Sequence, residues 1–418
     1  MNTRVSITRL LVIIALNLSG AVLKSQTIEN FYSISGVVKD RRTEKPVENV
    51  NVSAKGTNVG TVTNQDGEFV LKLMEHLSVK EIEFSCIGYF NAQVAISKNM
   101  APNQVFYITP QIIELSQVEV FSWKNPRDLV EIAMEKIPDN YSVKPNMLTG
   151  FYRETIQKKS NYISISEAVI QVYKTSYTAD VDLDRVQILK GRNLISSRKS
   201  DTLDVKFVGG PTIPVFMDIV KNRDILLSQE NLNFYSFRMG ETITINDRLQ
   251  FVVFFEPRRI SDFPLYYGTL YIDRENYTFT RAEFNVDISD KEKVIRSMLR
   301  DKPLGLRFTP ENITSVVTYR QIEDKTYLNY IRNEIKFKCV WKRRLFATNF
   351  TILNETVITD IEENNVTRIA AKDAFSTRKA LSREAAAYYD EDFWGAYNII
   401  EPTETLENAV NILKKRQK

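Results

Sequence analysis

The residue types that most often carry out chemistry are scarce in this chain. Among its 418 residues there are one histidine, His76, and two cysteines, Cys86 and Cys339. Zinc sites are built mainly from histidine and cysteine, so this composition excludes multi-histidine metal sites and Cys-rich zinc modules. A serine or cysteine nucleophile would have only His76 as its histidine base, and no nucleophile motif surrounds that residue. We therefore expect His76 to lie on the surface, in a strand connection.

Three aspartates alternate along one short segment, at Asp180, Asp182 and Asp184. In a strand, alternate side chains share one face, so these carboxylates would lie close together and favour a cation or a nearby Lys or Arg. A calcium loop of the EF-hand type needs Gly at its sixth position and Glu at its twelfth, where this chain has Arg185 and Gly191. We favour a solvated acidic turn over a metal site.

The remaining composition and motifs point away from catalysis and nucleic acid. Hydrophobic residues make up 43% and charged residues 26%, as in ordinary globular proteins. Lys and Arg number 56 and Asp and Glu 52, which is too balanced to predict nucleic-acid binding. Residues 207–211 contain two glycines but lack the spacing and the lysine of a phosphate loop. We predict no catalytic residue, no cofactor and no metal.

Residues 1–25 have the pattern of a secretory signal. Arg4 and Arg9 precede an apolar run at 10–18, and small residues follow as far as Ser25. This run is too short to span a membrane, and no later stretch approaches ~20 uninterrupted apolar residues. We expect export, cleavage after Ser25 and no transmembrane segment in the remaining chain.

Export would permit disulfides, but the two cysteines are far apart in sequence. Cys86 and Cys339 each lie in a predicted strand, in what we interpret as different domains. We favour two separate buried thiols over a disulfide that joins the domains.

Residues 31–110 are predicted to form a small antiparallel β-sandwich, because short strand signals recur at close spacing. The predicted strands are 32–39, 50–55, 68–73, 82–87 and 105–108. Turn sequences separate them, and at Asp66-Gly67 the glycine accepts the positive φ of a tight hairpin. Phe69 then points into the core.

The sandwich segment resembles a known domain. The motifs ISGVVKD (34–40), EKPVENV (44–50), KGTNVGTVT (55–63), DGEF (66–69) and IGY (87–89) occur in this order. They resemble the carboxypeptidase-like regulatory domain that is common in envelope proteins of Bacteroidota, which implies a prealbumin-like (Ig-like) sandwich without catalytic function. The zinc peptidases that carry this domain need a histidine-based site. The one histidine lies inside the sandwich, so a peptidase is excluded.

The same resemblance indicates a place in the envelope. This sandwich often precedes TonB-dependent outer-membrane receptors, and residues 115–120 are similar to the segment that leads into the receptor plug. We predict a linker at 111–125 and expect the receptor's N-terminal module without plug or barrel. The resemblance implies secretion across the inner membrane, a periplasmic or outer-membrane-associated location, and an outer-membrane or periplasmic protein partner.

Residues 126–371 are predicted to form a larger antiparallel β domain with helical insertions. A first helix begins at Pro126 with Asn125 as its N-cap. The predicted strands lie within 150–154, 162–173, 243–255, 268–273, 277–286, 314–319, 327–341 and 345–358. Aromatic and β-branched residues favour a strongly curved sheet, with a hairpin turn at Asn246-Asp247. The predicted helices at 212–227 and 289–300 would cover its open face.

Two resemblances concern this larger domain. FYRE at 151–154 and EAV at 167–169 are similar to motifs in the second domain of the same envelope group. The LYID turn at 270–273 and its return strand resemble the half-barrel of periplasmic lipoprotein carriers and sensors.

Residues 372–418 are predicted to form a helical tail. The segment 376–389 is Ala-rich, and the aromatic segment 392–402 is similar to one near the end of the same envelope group. Thr403 or Thr405 would cap a last helix. Its apolar face is formed by Leu406, Ala409, Val410 and Leu413.

Three functions remain open on these grounds. The first, which we expect, is a non-enzymatic binding or scaffold protein associated with outer-membrane transport or assembly. The second is a carrier that holds an acyl chain, a lipoprotein or another apolar ligand in a pocket with few buried charges. The third is a hydrolase with two carboxylates facing each other across a cleft.

Overall fold

A computed structural model of the chain describes residues 30–111, 124–198, 208–299, 305–342, 346–388 and 394–417. The predicted signal segment, the 115–120 motif and nearly all of the predicted linker lie outside these residues. Within them the fold is mainly β, as predicted, with two small sheets and one large sheet.

The two small sheets form the N-terminal sandwich. Its strands are β1 (Phe31–Asp40), β2 (Asn51–Ala54), β3 (Gly60–Val62), β4 (Glu68–Met74), β5 (Glu81–Ser85), β6 (Ala92–Ala95) and β7 (Gln104–Ile108). The sheet orders are β4-β1-β7 and β3-β2-β5-β6. The short strands β3 and β6 were not predicted. The pairing of β1 with β7 is parallel, which corrects the expectation of a purely antiparallel sandwich.

The sandwich core is an aromatic cluster between the two sheets. The rings of Phe69, Phe84 and Phe106 lie 4.9–5.6 Å apart, centroid to centroid. Burial alternates along β1 and β4, so each strand sends every second side chain into this core. Gly67 has a φ of +74° in the turn before Phe69, as predicted from the hairpin sequence.

The larger unit is an open, curved sheet of eleven antiparallel strands. These strands are β8 (Asn146–Lys158), β9 (Asn161–Lys174), β10 (Arg185–Ile195), β11 (Tyr235–Met239), β12 (Ile243–Ile245), β13 (Arg248–Pro257), β14 (Tyr266–Asp273), β15 (Phe279–Val286), β16 (Leu306–Ile322), β17 (Lys325–Trp341) and β18 (Thr348–Glu362). Their order is β10-β9-β8-β18-β17-β16-β15-β14-β13-β11, and β12 also pairs with β13. Asn246 and Asp247 both have positive φ between β12 and β13, which confirms the predicted hairpin turn.

Seven helices accompany the sheets in the described ranges. They are α1 (Pro126–Glu135), α2 (Ile137–Asn140), α3 (Thr212–Phe216), α4 (Gln229–Leu232), α5 (Lys291–Met298), α6 (Leu381–Glu384) and α7 (Glu404–Gln417). Asn125 caps α1 by accepting a hydrogen bond from the backbone N–H of Arg127, as predicted. Thr403 caps α7, because its hydroxyl accepts from the N–H of Leu406.

We call the face of the large sheet that carries Tyr152, Ala168 and Ile331 the inner face. Side chains of α1, α2 and the segment 212–232 pack on it and form the main apolar core. The predicted helix 212–227 is only partly present, because α3 ends at Phe216 and the chain continues in turns to a 3-10 segment at Arg223–Ile225. The apolar residues of this segment are buried by contact with the sheet, although they do not form one face of a continuous helix. The helix predicted at 289–300 is α5, and its Ile295 joins a second apolar cluster on this face.

The C-terminal residues lie on both faces of the large sheet. Leu381 and Ala385 join the main core of the inner face, where the Ala-rich segment forms only α6 and a 3-10 turn. On the opposite, outer face, α7 packs Leu406, Val410 and Leu413 against β9 and β10, with Ala409 partly buried beside them, which confirms the predicted apolar stripe. The tail is therefore part of the larger unit's packing.

The two cysteines are not joined in a disulfide, as predicted. Cys86 is half-buried in the sandwich, and Cys339 is buried in the second apolar cluster of the large sheet. Burial raises the pKa of the Cys86 thiol to about 11, so little reactive thiolate forms at neutral pH.

We predict that the denatured, unreduced protein contains two titratable thiols per chain, and that Cys86 reacts slowly in the native protein. A chromogenic thiol reagent measures both quantities, and the Cys339→Ser variant should titrate as one thiol. Finding thiols only after chemical reduction would contradict the separate-thiol structure.

Candidate functional site

The residues singled out for metal or base chemistry are dispersed. His76 is exposed on the 3-10 turn Glu75–Leu77. Asp180 and Asp182 lie in an exposed 3-10 turn rather than a strand, which agrees with the favoured solvated acidic turn. Asp184 turns inward and its side chain is buried. In the described ranges no group of three or more His, Cys, Asp or Glu residues is arranged to hold a metal ion.

Asp184 belongs to a buried ion cluster on the inner face. Lys174 Nζ lies 2.8 Å from Asp218 Oδ2 and 3.6 Å from Asp184 Oδ2, and Lys221 Nζ lies 3.6 Å from Asp184 Oδ1. The Tyr319 hydroxyl donates to Asp218 at 2.7 Å. Burial lowers the pKa of Lys221 to about 8, against the effect of Asp184. Two cations and two anions balance here, so the cluster fixes the 212–227 segment on the sheet.

The motifs at 151–154 and 167–169 meet on the outer face. Arg153 Nε lies 2.8 Å from Glu167 Oε1, and Arg192 Nε lies 2.5 Å from Glu167 Oε2. Burial opposes the charge of Glu167, but the two guanidinium groups outweigh it and lower the pKa of that carboxyl. Arg153 also donates through Nη2 to the carbonyl of Ile400 at 2.7 Å. The ion triad therefore fastens a C-terminal segment to the sheet.

We call residues 394–402 the C-terminal clamp, because they lie between the outer face and the sandwich. The Trp394 ring packs edge-on against Phe151, with centroids 5.2 Å apart. The Asn398 side chain accepts from the backbone N–H of Lys72 and donates to its carbonyl, so it pairs with the exposed edge of β4. The Thr61 hydroxyl donates to the carbonyl of Ile399 at 2.9 Å. The clamp thus joins the two β units.

Beside this junction lies a cleft between the two units. One wall is formed by β2 and the loop 55–58 of the sandwich, and the other by the ends of β13, β14 and β16. Its volume is about 490 Å³, within the ~300–1,000 Å³ range of small-molecule sites. A cleft of this size admits a ligand of one or two sugar or amino-acid units.

Bonded polar groups give the large-sheet wall its shape. Arg248 Nη2 donates to Asp273 Oδ1 at 2.9 Å, and its Nε lies 2.8 Å from Asp273 Oδ2, where the N–H is not aimed at the oxygen. Thr280 donates to Gln250 Oε1 at 2.7 Å. These groups are therefore paired with each other within the wall.

Other polar atoms of the lining have no hydrogen-bond partner. They are Asn51 Oδ1, Asn91 Oδ1, Thr278 Oγ1 and Arg320 Nε. Buried polar groups are nearly always bonded to protein, water or ligand, so these atoms indicate a polar site where water or a ligand supplies the missing bonds. Sequence reasoning missed the cleft, because its walls come from segments nearly 200 residues apart and Arg320 sits in an ordinary alternating strand.

The inner face also carries a polar row, in register across six strands. Its members are Asn193, Ser166, Glu154, Asn354, Asn333 and Ser315. Apolar clusters lie on both sides of it. Burial raises the pKa of Glu154 to about 7, although the Tyr152 hydroxyl donates to its carboxylate at 2.9 Å. The inner face therefore contains buried charge as well as apolar surface.

Comparison with known proteins identifies the sandwich. Residues 34–120 match the family model of the CarboxypepD_reg-like domain. The chain contains a carboxypeptidase-like regulatory domain. This confirms the predicted resemblance, and the regulatory domain accounts for β1 to β7 apart from the first residues of β1.

The solved structures to which the chain is similar have low sequence identity and low TM-scores. A putative outer membrane lipoprotein-sorting protein domain from Vibrio parahaemolyticus has 11% identity and a TM-score of 0.26, over 60% of this chain and 97% of its own. A LolA superfamily protein from Nitrosomonas europaea has 11% identity and a TM-score of 0.26, over 58% and 95%. A putative membrane-associated protein of unknown function from Bacteroides fragilis has 8% identity and a TM-score of 0.16, over 79% and 98%.

No curated protein matches the chain. Across the described parts of the chain, every helix is too short or too polar to cross a bilayer.

We predict that Glu154 makes the protein less stable as pH rises from about 4.5 to about 7. The folded state keeps a proton that the unfolded state releases, so the free energy of unfolding falls over this interval by roughly 3 kcal/mol. The Glu154→Gln variant should lack this fall and be more stable than the wild type at pH 8. Urea denaturation at pH 4.5 and pH 8 measures the free energy of unfolding of both proteins.

The matched control for this measurement is Glu256→Gln, since Glu256 is exposed on β13. It should keep the wild-type pH dependence. Equal pH dependence in Glu154→Gln and the wild type would show that Glu154 is not a buried acid with a raised pKa.

Proposed function

We propose that the chain is a non-enzymatic binding protein of the cell envelope that holds a polar ligand in the cleft between its two β units. The observation that carries this proposal is the cleft itself, with about 490 Å³ of space and unbonded polar atoms from both units. A ligand there contacts the sandwich and the large sheet together. The sandwich then serves as half of a binding site.

The bonding of Asp273, the one buried carboxylate among the three in the cleft lining, supports binding over catalysis. A carboxylate-dependent hydrolase needs one free acid and one free base or nucleophile across the substrate. Asp273 is instead held by Arg248, by Gln250 and by the backbone N–H groups of Glu275 and Asn276. This carboxylate shapes the wall.

The packing of the inner face favours the cleft over an apolar carrier pocket. An acyl chain needs an apolar cavity, whereas α1, α2 and the segment 212–232 fill the main core of this face. The face also buries the ionisable groups of Glu154, Lys174 and Asp218, beside which an acyl chain is a poor neighbour.

We further propose that the exported chain is periplasmic or associated with the outer membrane, where it contacts an outer-membrane or periplasmic protein. The signal-like residues 1–25 and the regulatory domain at 34–120 support this location. Capture from native envelopes with the tagged protein tests the partner, and recovery of the protein alone would count against it.

We predict that polar ligands stabilise the protein through the cleft. The purified protein is screened by thermal unfolding with neutral sugars, acidic sugars, dipeptides and palmitate. A ligand at 100 times its Kd adds about 2.7 kcal/mol to the free energy of unfolding. At least one polar class should raise Tm, and palmitate should not.

Two tryptophan variants locate the ligand. Ser53 lies on β2 and lines the cleft, so Ser53→Trp should fill the space and abolish the rise in Tm. Ser97 is exposed on the sandwich outside the lining, so Ser97→Trp should keep the full rise. Stabilisation by palmitate alone, or an unchanged response in Ser53→Trp, would contradict the proposed site.

A further inference from the structure

Arg320 is an unusual cation at the base of this cleft. It lies near the end of β16 with 7% of its surface exposed, and it lines the space between the two units. Its Nη2 donates to the backbone carbonyl of Asn58 at 2.6 Å. Its Nε makes no hydrogen bond, and no carboxylate among the described residues lies within ion-pair distance of the guanidinium.

Buried cations elsewhere in the structure are paired. The buried Arg153 shares Glu167 with the half-buried Arg192, and the buried Lys174 contacts Asp218. Burying an unpaired charge is costly, so such groups are normally matched by an opposite charge. Burial lowers the pKa of Arg320 to about 10, with Asp360 acting only from a distance, so the guanidinium stays charged at neutral pH.

A glycine of the sandwich makes room for the Arg320 side chain at the cleft. A Cβ on Gly60 would come within 2.8 Å of Arg320 Nη1, so the glycine leaves room for the guanidinium. The sandwich thereby offers the backbone carbonyl of Asn58 to the guanidinium, while its one acid in the cleft lining, Glu83, accepts a hydrogen bond from Gln93.

The unbonded neighbours complement a cation. Asn51 Oδ1 and Asn91 Oδ1 are acceptors that need N–H or O–H donors, and the Thr278 hydroxyl can donate or accept. A guanidinium pairs best with a planar carboxylate or a phosphate through two parallel N–H groups. The combination calls for a ligand with one anionic group and several hydroxyls.

We propose that the cleft binds a hydroxylated anion, such as an acidic sugar, with Arg320 pairing its carboxylate or phosphate and with Asn51 and Asn91 accepting from its hydroxyls. This inference rests on the proposed function of the cleft and adds its ligand class. The bound anion supplies the counter-charge that Arg320 lacks. A neutral sugar satisfies the asparagine acceptors but leaves the guanidinium unpaired.

Isothermal titration of the whole protein tests the ligand class with four probes: galacturonate, glucose 6-phosphate, glucose and inorganic phosphate. The wild type should bind at least one acidic sugar about 10- to 100-fold more tightly than glucose, as expected for hydrogen bonds to a charged group. Comparison of the two acidic sugars separates a carboxylate ligand from a phosphate ligand. Inorganic phosphate should bind more weakly than the better acidic sugar, because it lacks the hydroxylated ring.

Variants assign the anion to Arg320. Arg320→Gln should lose the 10- to 100-fold preference while its glucose affinity changes little, and Arg320→Lys should retain part of it. Arg259→Gln is the matched control, since Arg259 is exposed beyond the far end of β13, about 30 Å along the strand from Arg248. It should bind as the wild type does.

Arg320 also ties the two units, so circular dichroism must first show that Arg320→Gln is folded. If Arg320→Gln does not fold, Arg320→Lys and Asn91→Ala are used for the test instead. Asn91→Ala should lower the affinity for acidic and neutral sugars alike. Equal affinity of the wild type for acidic and neutral sugars would overturn the inference and leave the proposed function standing. Failure of every sugar and dipeptide to bind would overturn both.

Discussion

The structure depends on the buried pairing of Arg153 and Arg192 with Glu167. A carboxylate in this position is stable only because two guanidinium groups surround it, and one of them also holds the carbonyl of Ile400. Removing Glu167 would take the shared carboxylate from the buried Arg153 and the half-buried Arg192 next to the C-terminal clamp. The triad therefore helps to hold the clamp on the outer face, and the clamp is one of the surfaces against which the sandwich packs.

The position of the clamp in turn helps to fix the position of the two β units. Asn398 pairs with the edge of β4 through Lys72, and Thr61 bonds to the carbonyl of Ile399, so the sandwich contacts the large sheet partly through the clamp. A direct contact, from Arg320 to Asn58, lies at the cleft. Both kinds of contact hold the cleft walls together, and the unbonded polar atoms between them are what we interpret as a binding site.

The sequence patterns predicted the strands and turns better than they predicted which of these elements lie together in the fold. Alternation and turn chemistry located most strands, including the Asn246-Asp247 hairpin, because these signals are local. The helix predicted at 212–227 is only partly present, because tertiary contacts bury the apolar residues of this segment without a continuous helix. The motifs at 151–154 and 167–169 were recognised as strands, but their ion pair with Arg192 and their contact with the clamp depend on register and chain path. Arg320 gave no signal, since an unpaired buried charge is visible only once its neighbours are known.

The central claim is that the ligand lies between the two units. Hydrogen–deuterium exchange of the whole protein, with and without saturating galacturonate or glucose 6-phosphate, tests this directly. We expect slower exchange in residues 51–58 of the sandwich and in residues 245–250 and 318–323 of the large sheet, with little change in the core of β8 and β9. Slower exchange confined to one unit, or to strands lining the inner face, would contradict a site shared by both units.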